Sequence, residues 1–155
     1  MIKQLVSILI ILLVLPMSCN RNVVYDQFSS LPNSTWTWDE PLSFEFELND
    51  TLNAYDLFIQ IRHTVDYPMS NLYMIVHIEG PSGQIITDTV NFILAEPDGK
   101  WIGSGVGKLK ELRLLYRKNT VFKDQGTYRF VLEQGMRKSS LPVTDVGIRV
   151  EKAHQ

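Results

Sequence analysis

The chain has 155 residues, a formal net charge of −2, 45% hydrophobic residues and 21% charged residues. These values are typical of one globular domain and argue against a disordered chain. They also argue against a nucleic-acid-binding protein, because the densest basic stretch, residues 113–118, is interleaved with leucines as a strand would be.

The N-terminus has the three parts of a secretory signal: the basic residue Lys3, an apolar run over residues 5–15 and the small residue Ser18. The apolar run has about eleven residues, whereas a membrane-spanning helix needs about 20. We therefore expect a signal peptide over residues 1–18 rather than a spanning anchor.

Cys19 is the only cysteine of the chain and directly follows Ser18. A small residue before a cysteine is typical of a bacterial lipoprotein signal, although Pro16 occupies the position where leucine is usual. The alternatives are an ordinary cleaved signal with an incidental cysteine, or a core thiol. We expect lipidation at Cys19, which leaves no free thiol for a disulfide, a metal site or a nucleophile. Several acyl chains on one residue would anchor the protein stably to a membrane.

Alternating apolar and polar side chains predict most of the later strands. The sequence predicts a lipidated N-terminus and tether over residues 19–35, a β-domain over residues 36–155, and strands over residues 42–48, 54–65, 72–79, 84–94 and 143–151. Apolar residues on both faces make the third of these a central strand. The turn residues that follow it predict that the fourth strand is its hairpin partner.

Two stretches are less regular. The glycines at positions 103, 105 and 107 superficially resemble a phosphate-binding loop but lack its Lys-Ser/Thr pair, so we expect a bend or bulged edge. Residues 111–122 fit either a short helix or a strand, and the strand-rich surroundings favour a strand.

The segment "DQGTYRF" resembles the tyrosine corner of immunoglobulin-like sandwiches, in which a tyrosine hydroxyl bonds to an upstream backbone group. Tyr128, Phe130 and Leu132 are then expected to face inward. The fold class predicted is all-β, an antiparallel immunoglobulin-like β-sandwich of about seven or eight strands.

No arrangement of residues predicts catalysis or metal binding. His63, His77 and His154 lack metal-ligand spacing, and Asp66 could orient His63 as a general base only if an exposed nucleophile were nearby. Glu45 and Glu47 share a strand face and are expected to be solvated. We expect no enzyme activity, no metal and no cofactor.

Aromatic side chains are the remaining candidates for a binding site. We single out Trp36, Trp38, Tyr67 and Trp101, because large flat side chains bury much area on a partner or a sugar. Trp36 and Trp38 would share a face if their segment were extended. Filling of the hydrophobic core is the alternative explanation.

Short motifs spread over nearly the whole chain resemble the GldH family of gliding-motility-associated lipoproteins of Bacteroidota. These motifs are the residues "DYPMSNLY" at 66–73, "DTV" at 88–90, "GKWIG" at 99–103, "GTYRF" at 126–130, "EQGMR" at 133–137 and "DVGIRVE" at 145–151. The lipidated N-terminus belongs to the same resemblance.

The resemblance implies a non-enzymatic, lipid-anchored accessory protein of the gliding-motility apparatus that acts through protein–protein interaction. An envelope glycan-binding module is the alternative function. The implied partners are the membrane, through the lipid on Cys19, and an envelope protein; neither nucleic acid nor a small-molecule ligand is expected. The family supplies no catalytic residue to transfer. Because no acidic cluster follows Cys19, the expected location is the periplasmic face of the outer membrane rather than the cell surface.

Overall fold

A computed structural model of the chain describes residues 22–153, which form ten strands and one short 3-10 turn. The strands are β1 (Val23–Ser30), β2 (Trp36–Thr37), β3 (Leu42–Leu48), β4 (Tyr55–Thr64), β5 (Asn71–Glu79), β6 (Ile85–Ile93), β7 (Leu109–Thr120), β8 (Gly126–Gln134), β9 (Ser140–Leu141) and β10 (Val143–Lys152). The 3-10 turn (Pro32–Ser34) separates β1 from β2. The predicted signal peptide, Cys19 and His154 lie outside the described residues.

Eight long strands form two four-stranded sheets, with the orders β1-β10-β4-β7 and β3-β8-β5-β6. Every neighbouring pair is antiparallel, which confirms the predicted antiparallel β-sandwich. Counted without the two-residue strands β2 and β9, the orders become 1-8-3-6 and 2-7-4-5, which is the arrangement of a jelly roll. The strand order of this sandwich is therefore that of a jelly roll and differs from the immunoglobulin-like strand order expected.

The strands predicted from alternation are confirmed with small shifts at their ends. Strand β3 has the predicted bounds, and β5 lies between β8 and β6, as expected of a central strand. Strand β6 is its hairpin partner. The ambiguous residues 111–122 belong mostly to strand β7, as the strand-rich surroundings indicated.

Strand β1 is the main difference from prediction, because residues expected to form a tether belong to the sandwich. It pairs with β10 along its length. Asp26 accepts hydrogen bonds from the Gln60 amide (2.7 Å) and from the Arg149 guanidinium, and Arg149 also pairs with Glu151. The domain therefore begins at Val23 rather than at residue 36. Contacts with segments that are distant in the sequence hold this strand, so no local sequence pattern predicts it.

The core lies between the two sheets and is rich in aromatic and branched side chains. Tyr128, Phe130 and Leu132 are buried, as predicted. The Tyr128 hydroxyl donates to the carbonyl of Asp124 at 2.9 Å, so the predicted tyrosine corner is present. The inward-facing side chains of the two sheets pack against each other, and burial of their apolar surface stabilises the core.

The glycine-rich stretch is a tight bend against the start of β7, as expected. Gly103 has a φ of +100°, and a Cβ there would lie 2.3 Å from the carbonyl oxygen of Glu111. A Cβ at Gly105 would lie 2.0 Å from the carbonyl oxygen of Leu109. Close backbone packing therefore explains why glycine is required here.

The antiparallel strands give the sandwich two ends. We call one the Asn22 end; it carries the loops 49–54, 80–84 and 121–125 and the two ends of the described chain. We call the other the Trp38 end; it carries β2, β9 and the connections 65–70, 94–108 and 135–139.

Candidate functional site

The structure separates the four aromatic residues predicted to bind a partner. Trp36 (0% exposed) and Tyr67 (3% exposed) belong to the hydrophobic core, and Trp101 is half-buried against it. Trp38 is 65% exposed. The expectation of a binding role is therefore wrong for Trp36 and Tyr67, for which core filling is the correct explanation.

Trp36 and Trp38 do not share a face, because strand β2 ends at Thr37. Trp36 pairs with Leu141 of β9, and its indole nitrogen donates to the carbonyl of Glu40 at 3.0 Å. A buried indole with its one donor satisfied is a stable core element. The chain turns directly after β2, so the Trp38 side chain projects into solvent.

The other two aromatic candidates surround a buried histidine at the Trp38 end. The His63 ring lies 4.6 Å from the Trp101 ring and 5.4 Å from the Tyr67 ring, measured between centroids. The Tyr67 hydroxyl donates to the carbonyl of Asn71 at 3.0 Å. These residues come from β4, from the connection after it and from the connection before β7, and together they close this end of the core.

His63 is not placed for acid–base chemistry. Its Nδ1 lies 2.9 Å from the Thr64 carbonyl oxygen, and its buried Nε2 has no hydrogen-bond partner among residues 22–153. Asp66 is exposed and is not bonded to the ring, so it does not orient His63 as a general base would require. Burial lowers the pKa of His63, and the nearby charge of Lys110 acts in the same direction. The neutral ring is therefore a packing element.

The outer face of the β3-β8-β5-β6 sheet is solvated, with polar side chains at its centre and the exposed Ile85 and Ile93 on its edge strand β6. His77 contacts the Thr87 hydroxyl at 2.9 Å and the Glu133 carboxylate at 3.1 Å. Glu45 and Glu47 are exposed, as predicted. Within the part of the chain that the structure describes, no group of three or more His, Cys, Asp or Glu residues could hold a metal ion.

An exposed surface around Trp38 is the candidate functional site. We call it the Trp38 surface, and it consists of Trp38, Tyr73, Met136, Arg137 and Lys138. Shallow clefts run between Trp38 and the loop 135–139, and between this loop and Tyr73. Trp, Tyr and Arg are the residue types most often found at the energetic centre of protein interfaces.

Hydrogen bonds hold the loop of this surface in one conformation. The Trp38 backbone N–H donates to the Ser139 carbonyl at 3.1 Å, which fixes the tryptophan to the loop. The buried Gln134 amide donates to the Lys138 carbonyl at 2.8 Å and accepts from the Met136 N–H at 2.9 Å. A surface organised before binding loses less conformational entropy when a partner arrives.

Arg137 and Lys138 are the charged members of the Trp38 surface, and the exposed Asp39 and Glu40 directly follow Trp38. Arg137 and Lys138 are exposed, and neither forms an ion pair with another residue in the range 22–153. Sequence reasoning singled out Trp38 but missed these two residues as contacts. The signal that could have revealed them is Gln134, a polar residue at an inward position of β8 that a basic pair follows three residues later.

The side chains gathered here can bind but have no geometry for catalysis. Tyr73 receives a contact from the Met136 sulfur, whose Sδ lies 3.1 Å from the Tyr73 backbone nitrogen. The surface presents no nucleophile paired with a base. Within residues 22–153, no helix is long and apolar enough to cross a membrane.

Solved structures similar to this chain are distant. A carbohydrate-binding module specific for non-crystalline cellulose matches 83% of this chain and 73% of its own, with a TM-score of 0.45 and 12% identity. The infectious bursal disease virus VP2 subviral particle matches 84% of this chain and 30% of its own, with a TM-score of 0.37. Neither likeness bears on a ligand.

Sequence relatives are much closer. The chain is 38% identical to the gliding motility lipoprotein GldH homolog of Christiangramia forsetii, over 96% of this chain and 95% of that protein. It is 35% identical to the gliding motility lipoprotein GldH of Flavobacterium johnsoniae, over 94% of this chain and 95% of that protein. The family model described as GldH lipoprotein matches residues 23–150. The chain therefore belongs to the GldH family of gliding-motility lipoproteins and is a lipid-anchored membrane protein.

Proposed function

We propose that this protein is a non-enzymatic accessory of the gliding-motility apparatus that holds an envelope protein at its Trp38 surface. The single observation that carries the proposal is Trp38 itself, a large aromatic side chain 65% exposed on a hydrogen-bonded loop. Trp38 and Met136 line one shallow cleft with Arg137 and Lys138, and an apolar patch with a polar rim is typical of an interaction site.

The chemistry of the surface defines the partner. Arg137 and Lys138 flank an apolar patch formed by Trp38 and Met136. The matching surface carries acidic side chains around an apolar or aromatic centre, because complementary charge speeds association and fixes register. We place the protein on the periplasmic face of the outer membrane, anchored through lipid on Cys19.

A glycan-binding module is the second candidate, favoured by the same exposed Trp38. It is weaker because Trp36, the second tryptophan expected on a sugar platform, is buried and Trp101 is half-buried. Stacking of one indole on a sugar would change the Trp38 fluorescence on titration with cell-wall oligosaccharides. The Trp38→Phe variant identifies that signal.

Crosslinking and mass spectrometry on whole cells tests the proposed function. Lys138 reacts with amine crosslinkers, and we expect it to be joined to one acidic envelope protein in cells that carry the native chain. Trp38→Ala should lower this crosslink at least tenfold. Cys19→Ala should abolish it and release the domain from membranes.

Leu115→Ala is the matched control, because Leu115 is an exposed apolar residue (50%) on the outer face of the other sheet. It should leave the crosslink unchanged. Recovery of the protein without a crosslinked partner, or equal yields from Trp38→Ala and Leu115→Ala, would refute the proposal.

A further inference from the structure

The Asn22 end of the sandwich exposes two aliphatic side chains. Leu52, in the loop 49–54, is 96% exposed, and Val121, directly after β7, is 62% exposed. The two loops leave neighbouring strands at the same end, since Tyr55 pairs with Thr120. Both loops therefore present an exposed aliphatic side chain at the same end of the sandwich.

This end is rigid because hydrogen bonds join its loops. The Gln125 amide donates to the Asn49 carbonyl at 2.9 Å, which connects two of the loops. The Lys152 ammonium donates to the Asp50 carboxylate at 2.8 Å. The backbone N–H of Leu52 donates to the same carboxylate at 3.1 Å. Leu52 is therefore held outward by a fixed loop.

The apolar surface continues from Val121 into the molecule. A cleft of about 240 Å³ adjoins it and is lined by Ile86 and Phe122. Lys123 lies on its rim and Lys118 is exposed on β7 nearby. Apolar side chains beside lysines are the combination found where proteins rest on the headgroup layer of a bilayer.

The length of the chain before the described residues decides what meets this end. Cys19 precedes Asn22 by three residues, which span at most about 11 Å when fully extended. The carbonyl of Asn22 is bonded to the Lys152 N–H at 2.7 Å, so the chain leaves the sandwich at a fixed place. A lipid on Cys19 therefore brings the bilayer next to the Asn22 end.

We propose that the Asn22 end docks on the lipid surface, with Leu52 and Val121 inserted among the headgroups and Lys118 and Lys123 beside lipid phosphates. This inference rests on lipidation at Cys19. It makes the bilayer a second contact of the folded domain, in addition to the acyl chains. The orientation that results turns the Trp38 surface away from the membrane.

The test uses the lipidated protein in vesicles of phosphatidylethanolamine and phosphatidylglycerol. Because acylated Cys19 has no free thiol, Leu52→Cys and Val121→Cys each offer a single site for an environment-sensitive fluorophore. Val106→Cys is the matched control, since Val106 is 93% exposed in the connection before β7 at the Trp38 end. All three positions are exposed, so the labelled variants should fold.

We expect quenching by lipid-bound nitroxide at positions 52 and 121, and at least fivefold slower quenching by aqueous iodide than at position 106. Equal access of iodide to all three positions would overturn the inference. If iodide reached all three positions equally on an acylated, vesicle-bound protein, this inference would fail and the proposed function would stand. A protein without acyl chains by mass spectrometry would instead contradict the anchor itself.

Discussion

The two ends of the sandwich are closed in different ways. At the Asn22 end, polar groups join short loops, for example the Lys152–Asp50 ion pair and the Gln125–Asn49 hydrogen bond. At the Trp38 end, longer connections fold over buried aromatic rings, including Trp36 and Tyr67. Aromatic burial contributes at both ends, because Phe122 of the loop 121–125 packs against Tyr55 and Tyr128. The Trp38 end differs in that its longer connections also leave one indole, Trp38, exposed.

The largest expected effect concerns the buried tryptophan of the Trp38 end. Trp36→Ala should lower the free energy of unfolding by about 3–5 kcal/mol, because it removes a large core side chain and leaves a cavity. Trp38→Ala, two residues away, should change it by no more than about 0.5 kcal/mol. Urea unfolding of both variants measures the contrast. Similar losses would show that the two indoles do not differ as their burial indicates.

His63 should make the Trp38 end sensitive to acid. Its pKa is lowered by burial, so the unfolded chain binds a proton more readily than the folded chain does. The stability that the neutral His63 ring contributes is complete above its pKa in the unfolded chain, about 6.5. It is lost as the pH falls toward the lower pKa of His63 in the folded chain. For one proton, the free energy of unfolding cannot change by more than about 1.4 kcal/mol per pH unit.

Unfolding measured between pH 7.5 and 5 tests this effect. His63→Gln should flatten the dependence, whereas His77→Gln, on the solvated face, should keep it. If His63→Gln unfolds with the same pH dependence as the native chain, the buried ring is not its source.

The smallest effect belongs to the Asn22 end. Hydrogen bonds from Lys152, Asn53 and the Leu52 N–H lower the pKa of Asp50 to about 2. The carboxylate therefore stabilises the fold fully above its ordinary pKa of 3.8, and that contribution is lost as the pH falls toward 2. Lys152→Ala should raise the pKa of Asp50, measured by carboxyl carbon NMR. An unchanged titration would assign the shift to Asn53 and the backbone instead.

Much of the fold follows from local patterns. Strand β3 could be predicted because Phe44 and Phe46 alternate with Glu45 and Glu47 on opposite faces. The tyrosine corner could be predicted because Tyr128 and its carbonyl acceptor are four residues apart. Such features depend on neighbours in the sequence, which a period of two or a short motif records.

What could not be predicted depends on distant contacts. Strand β1 carries weak alternation and is held by Arg149, far away in the chain. The burial of Trp36 and the exposure of Trp38 depend on β9, which pairs with β2 only in the folded protein. The basic part of the Trp38 surface depends on the buried Gln134 amide. No local periodicity of the sequence shows which residues these distant contacts leave exposed.

Strand β1 has a mechanical consequence. It joins the two ends of the domain by a backbone that is already extended, about 26 Å for its eight residues. A pull between the membrane and Trp38 therefore acts along the covalent chain of β1, which is already extended, and slack remains in the 3-10 turn between β1 and β2. A force applied at Arg137 instead reaches β1 through paired strands, and the hydrogen bonds of the β1–β10 ladder share the load. A flexible tether in its place would absorb either force by uncoiling, whereas this strand transmits both.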